Sequence, residues 1–244
     1  MPRFFIAGAN AAGGVALITG ADAEHIKVLR MKLGERLVVC DGAGKDYECR
    51  LCRLSNGAAE VEILSAADSP AEPSVRCTVL AGFPKGDKAD FIVQKCTEGG
   101  AFEIVFFPCE RCVSRPDRRS LEKKCTRWQR IAEEAAKQSG RGIIPAVSTV
   151  DSFAAALDIA LKAELKLFMY ETGERTPICR AAADAPAAKS CAILTGPEGG
   201  FEPYEADLAA KAGMTLCSMG ARILRCETAP LVALTAVLAQ TGNL

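Results

Sequence analysis

The chain has 244 residues, long enough for one large domain or two smaller ones with a sizeable core, and its 30 basic and 30 acidic side chains cancel. One histidine among 244 residues excludes multi-histidine metal sites by count. Net neutrality does not exclude a nucleic-acid partner, because clustering of charge matters more than its sum.

The first seventy residues read as β structure with tight turns. Residues 4–21, FFIAGANAAGGVALITGA, carry no charge, but four glycines and an asparagine break the run, so it lacks the apolar core of a signal peptide. Residues 35–54 hold two strand-like runs joined by DGAG, a hairpin signal. Residues 58–64 alternate as a further strand. The stretch 67–75, ADSPAEPSV, reads as a linker.

From residue 75 strands and helices alternate. Buried strands are predicted at 76–83, 102–108, 165–170 and 215–220. Helices are predicted at 88–100, 120–140, 150–162 with Asp151 as N-cap, 203–213 and 227–241. Such alternation predicts an α/β fold with a parallel sheet covered on both faces, whose strand-end loops bind ligands. Within this half, residues 111–130 carry eight Lys/Arg against two Asp/Glu, a local net of +6 that suits RNA or a solvated helix face. The apolar stretch 230–239 is too short to span a bilayer, and the expectation is a soluble cytoplasmic protein.

Twelve cysteines are scattered, several inside apolar runs (Cys40, Cys77, Cys191, Cys217), as small buried hydrophobes of a reducing compartment. Cys49/Cys52 and Cys109/Cys112 have metal-like spacing. A zinc site is not expected, because residues three apart on a strand face opposite ways and no further C-x-x-C lies close by.

Two loops concentrate chemistry. CAILTGPEGGF (191–201) places glycines and one carboxylate after a buried strand. It is not a P-loop, which needs a Lys and Ser/Thr, nor a dinucleotide fingerprint, whose glycines are spaced differently. SMGARILRCETAP (218–230) also links a strand to a helix. Two such loops at one sheet edge make one crevice, with backbone amides, apolar walls and a few charges.

The pair LTGPEGGF and MGARILRCETAPL closely resembles the ribosomal RNA small subunit methyltransferase E family, within the SPOUT class of S-adenosylmethionine-dependent enzymes. The blocks HIKVLRMKLGE, CDGAGKDYEC, KGDKADFIVQKCTEGGAFEI and RWQRIAEEAAKQSGRGIIP extend the resemblance over nearly the whole chain. It implies a small N-terminal PUA-like β-barrel that helps hold RNA (1–70). It also implies a C-terminal SPOUT domain with a parallel sheet tied in a trefoil knot (73–244), and a homodimer with no membrane or DNA partner. The implied reaction is methylation of N3 of one uridine in the decoding region of 16S rRNA, on the assembled small ribosomal subunit.

By the same resemblance, S-adenosylmethionine falls to Leu194, Gly196, Pro197, Glu198, Gly199 and Gly200 of the first loop. It falls also to Met219, Gly220, Ile223, Leu224, Arg225, Glu227, Thr228 and Ala229 of the second, with Tyr170 and Glu171 lining the same pocket. Arg225 is the expected catalytic group, stabilising the developing uracil anion, with Glu227 or water accepting the proton; a structural Arg225–Glu227 pair is the alternative. Arg3, Arg30, Lys85, Lys95, Arg111 and Arg141 are the expected RNA contacts. Gly99 departs from the family pattern, where an apolar residue is usual. A SPOUT enzyme with another nucleoside target, or an RNA-binding factor without catalysis, remain alternatives.

Overall fold

A computed structural model describes residues 1–6 and 14–244, so the uncharged run at 4–21 lies partly outside the described residues. The chain forms two compact units, one of Met1–Glu72 with Ala136–Ile144, the other of Pro73–Ala135 with Pro145–Leu244.

In the first unit the strands are β1 (Arg3–Phe5), β2 (Val15–Thr19), β3 (Arg36–Cys40), β4 (Lys45–Ser55) and β5 (Ala58–Asp68), with helix α1 (Gly20–Val28) after β2. The sheet order is β1-β3-β4-β5-β2, antiparallel except for β1 beside β3. Alternation sends Tyr47, Cys49 and Leu51 of β4 inward against Phe4, Ile18, Ile26, Val39 and Val61. The expected hairpin turns at DGAG, while β5 runs on to Asp68, into the stretch read as linker. Helix α1 was not expected; it buries only Ala23 and Ile26, too little apolar periodicity to stand out.

The second unit holds β6 (Arg76–Gly82), α2 (Lys88–Glu98), β7 (Glu103–Phe107), α3 (Arg118–Ser139), β8 (Ala146–Thr149), α4 (Phe153–Ala160), β9 (Leu165–Met169), β10 (Thr176–Pro177), α5 (Ile178–Ala183), β11 (Ser190–Thr195), α6 (Pro203–Lys211), β12 (Thr215–Ser218) and α7 (Ala229–Gln240); the last turn of α3 counts with the first unit. Seven parallel strands lie in the order β10-β12-β9-β11-β6-β7-β8. The chain runs outward from β6 to β8, then returns to the other side, so the loops after β9, β11 and β12 gather at one edge. Helix α4 begins at Phe153, three residues inside the predicted 150–162 span. Ser152, not Asp151, is its N-cap, with the Ser152 hydroxyl accepting from the Ala155 N–H at 3.1 Å.

Gly99 ends α2. A Cβ there would lie 3.2 Å from Leu231 Cδ1 and 3.3 Å from Leu234 Cδ2, so α7 packs directly on the helix end. No helix among the described residues is long and apolar enough to cross a membrane.

Candidate active site

A cavity of about 510 Å³ opens at the strand ends of β9, β11 and β12, within the range of about 300–1,000 Å³ usual for small-molecule sites. Its first wall is the loop after β11. Gly200 adopts φ +67°, a left-handed conformation that favours glycine, and its N–H donates to the Pro197 carbonyl at 3.0 Å. The turn folds so closely that a Cβ on Gly196 would sit 3.1 Å from the Gly200 backbone. Behind the turn, Phe201 is fully buried with its ring 4.4 Å from that of Phe168. At the end of β6, a Cβ on Gly82 would meet Pro197 Cδ at 2.7 Å. The loop is thus held by packing rather than left to drift.

Helix α6 fixes the far end of the same loop. Glu202 and Glu205 form a capping box, and buried Glu205 also accepts from the Glu110 N–H at 3.0 Å. Arg111 binds both oxygens of Glu202, at 2.8 and 3.1 Å, and donates to the Gly199 carbonyl at 3.1 Å.

A lysine from a third element joins the two loops. Lys88, first residue of α2, places Nζ 2.9 Å from Glu198 and 3.3 Å from Glu227. The Lys85 backbone N–H adds a 3.0 Å bond to Glu198. Burial pushes the Glu198 carboxyl up, but the Lys85 N–H and the Lys88 ammonium outweigh it and hold the group down at about 2. Glu227 is likewise lowered: burial opposes, while backbone, Cys226 and Lys88 hydrogen bonds prevail. Both carboxylates are therefore ionised at neutral pH. Cys226 donates to Glu227 at 3.3 Å, and its thiol is pushed up to about 12 by burial and that carboxylate.

The alternative reading of Arg225, a structural pair with Glu227, does not form. Glu227 takes Lys88 instead, and among the described residues Arg225 has no acidic partner within ion-pair distance. It is exposed at the cavity wall, while its carbonyl accepts from the Thr228 and Ala229 N–H groups at 2.9 Å each.

Of the residues expected to hold a donor, Tyr170, Glu171, Gly196, Pro197, Glu198, Gly200, Met219, Gly220, Ile223, Leu224, Arg225 and Ala229 line this cavity. Leu194 is buried within β11, Gly199 packs on Arg111, and Glu227 and Thr228 stand outside the lining. Sequence reasoning passed over Arg175, Ser218, Arg222 and Lys88. Arg175 donates to the carbonyls of Tyr170, Glu171 and Gly173 and so shapes the turn after β9.

The six expected RNA contacts divide. Arg3 is bound by Asp46 at 2.7 and 2.8 Å, Arg141 is buried against Glu72, Lys95 pairs with Glu98 and Arg111 with Glu202. Arg30 and Lys85 are exposed. Cys49 faces the core and Cys52 faces out, as strand alternation requires, whereas buried Cys109 and Cys112 close to 3.4 Å between sulfurs. Among the described residues no group of three or more His, Cys, Asp or Glu could hold a metal ion.

Residues 71–238 match the family described as RNA methyltransferase domain, and residues 18–64 the RNA methyltransferase PUA domain. Fold and site thus define the class of RNA methyltransferases that carry a PUA-like N-terminal domain on a SPOUT-type sheet. Over 92% of this chain and 90% of the relative, the sequence is 34% identical to ribosomal RNA small subunit methyltransferase E of Bacillus subtilis. It is 32% identical to that of Mycobacterium bovis, over 92% and 86%. A crystal structure of ribosomal RNA small subunit methyltransferase E from Neisseria gonorrhoeae, bound to S-adenosyl methionine, superposes with TM-score 0.85 at 31% identity, covering 98% and 97% of the two chains. The chain belongs to the ribosomal RNA small subunit methyltransferase E family.

Proposed function

We propose that this protein transfers a methyl group from S-adenosylmethionine to N3 of one uridine in the decoding region of 16S rRNA, on the assembled small ribosomal subunit. The observation that carries this reading is the cavity: both loops that resemble the family's donor loops line one space of about 510 Å³, with Arg225 unpaired at its wall. The residues fit the donor. Glycine backbone at 196 and 200 permits close approach, Met219, Ile223 and Leu224 offer apolar surface, and the carboxylates of Glu171 and Glu198 suit a cationic ligand. Leu194, Gly199 and Thr228 support the loops from behind. When bound, S-adenosylmethionine supplies an electrophilic methyl group on a positively charged sulfur.

Uracil N3–H is a weakly acidic imide whose proton must leave before nitrogen can accept a methyl group. In this reading the Arg225 guanidinium, exposed at the cavity wall, is the group that stabilises the charge developing on the uracil ring. Glu227 is ionised but stands outside the cavity lining, so water accepts the proton, either directly or in relay to Glu227. Holding N3 in line with the methyl group supplies the remaining acceleration. The uridine must be splayed from its neighbours to present N3, which fits recognition of unpaired RNA. For Arg225→Ala the expected loss in kcat is on the order of a hundredfold, beyond any change in donor affinity measured by calorimetry. Unchanged turnover would reject the role.

In the same reading the protein is a cytoplasmic homodimer, residues 1–70 help hold RNA and residues 73–244 form a knotted methyltransferase domain. Ile223, 88% exposed beside the cavity, is apolar surface that a second copy would cover. Sedimentation equilibrium checks this directly; a monomer at micromolar concentration would contradict it.

A further inference from the structure

Resting on the rRNA reading, we propose that the outer face of α3 is a phosphate-binding track that grips the RNA substrate away from the donor cavity. The expected RNA cations at 3, 95, 111 and 141 are spent on internal carboxylates. The basic run at 111–130 behaves differently once folded. At 3.6 residues per turn, Arg119, Lys123 and Arg130 fall within about 40° of one another. The opposite face of α3 buries Trp128, Ala132 and Ala135, so these cations point into solvent.

Their freedom matters as much as their number. Arg118 pairs with Glu122, and Arg127 with Asp90. Arg119, Lys123 and Arg130 are exposed, and among the described residues none of them has a partner carboxylate within ion-pair distance. Lys123 and Arg130 also line a shallow groove of about 360 Å³ with Thr126, Arg127, Ile131 and Glu134. Three unpaired cations spread over about three helical turns match a polyanion that passes along the helix. Unpaired surface cations release counterions on meeting phosphates, which gives affinity without sequence choice. Register on the subunit would thus come from α3, and choice of base from the cavity.

The test uses the full-length protein with Arg119, Lys123 and Arg130 all changed to Gln, and small ribosomal subunits and naked 16S rRNA as probes. Expected is at least a tenfold loss of affinity for both probes, with donor affinity unchanged as proof of folding. The slope of log affinity against log salt should fall by about 2, at roughly 0.7 per phosphate contact for single strands. A second variant, Glu134→Lys, adds a cation to the groove and is expected to bind tighter with a steeper slope. Unchanged affinity and slope in both variants would overturn the track. Loss on intact subunits but not on naked rRNA would overturn it in favour of an acidic ribosomal protein. Both outcomes differ from failure of the rRNA reading itself, which shows as absent methyl transfer by the unaltered enzyme.

Discussion

At the scale of single residues, the Lys88 ammonium ties the two loops that border the cavity, lying 2.9 Å from Glu198 and 3.3 Å from Glu227. Glu198 and Glu227 stood out in their loops, but Lys88 lies 110 positions before Glu198 and only folding brings its ammonium within 2.9 Å. Arg3 and Arg141 show the converse: read as free cations, they fold against Asp46 and Glu72. Lys88→Met leaves two carboxylates facing each other without a cation, so the donor loops should part. Calorimetry should show donor affinity down about fivefold, solvent reducing the full pair energy, and Lys88→Arg should restore most of it. The pH dependence has a definite sign. Glu198 is held at about 2 against an ordinary 4.5, so its stabilising contribution is present above 4.5 and lost as pH falls toward 2. Without Lys88 the carboxyl pKa rises, and the acid limb of donor binding should move to higher pH. An unmoved limb would mean that Lys88 does not govern these groups.

Among the elements, the buried strands were legible because continuous apolar runs bounded by glycine and proline signal them directly. The short β10 and α5 were not, since two and six residues hold too little periodicity. Which residue caps α4 was also ambiguous, Asp151 and Ser152 being adjacent and both good caps. Thermal unfolding should find Ser152→Ala destabilising by about 1 kcal/mol, and Asp151→Ala within about 0.5 kcal/mol of the unaltered protein. Gly82 could not be read as part of the site, because its role is to let Pro197 approach β6. Gly82→Ala should cost about 1–3 kcal/mol by overpacking and weaken donor binding as well. Loss of stability with donor affinity intact would show that β6 does not set the loop position.

For the whole molecule, strand–helix alternation revealed the parallel sheet, and matched blocks in order revealed the family. The return of residues 136–144 to the N-terminal unit was not legible. It depends on Glu72 accepting from the Gly142 and Ile143 backbone N–H groups and pairing with Arg141, about seventy residues away in sequence. Composition could not show it either, since the segment continues a helix whose earlier turns belong to the other unit. The central claim concerns reaction and product, and one measurement meets both. Labelled S-adenosylmethionine is incubated with the protein and undermodified small ribosomal subunits, with naked 16S rRNA in parallel, and the labelled nucleosides are identified by mass spectrometry. The account predicts label in 3-methyluridine, on subunits and not on naked RNA. Label in any other nucleoside, or none while the donor still binds, would contradict it.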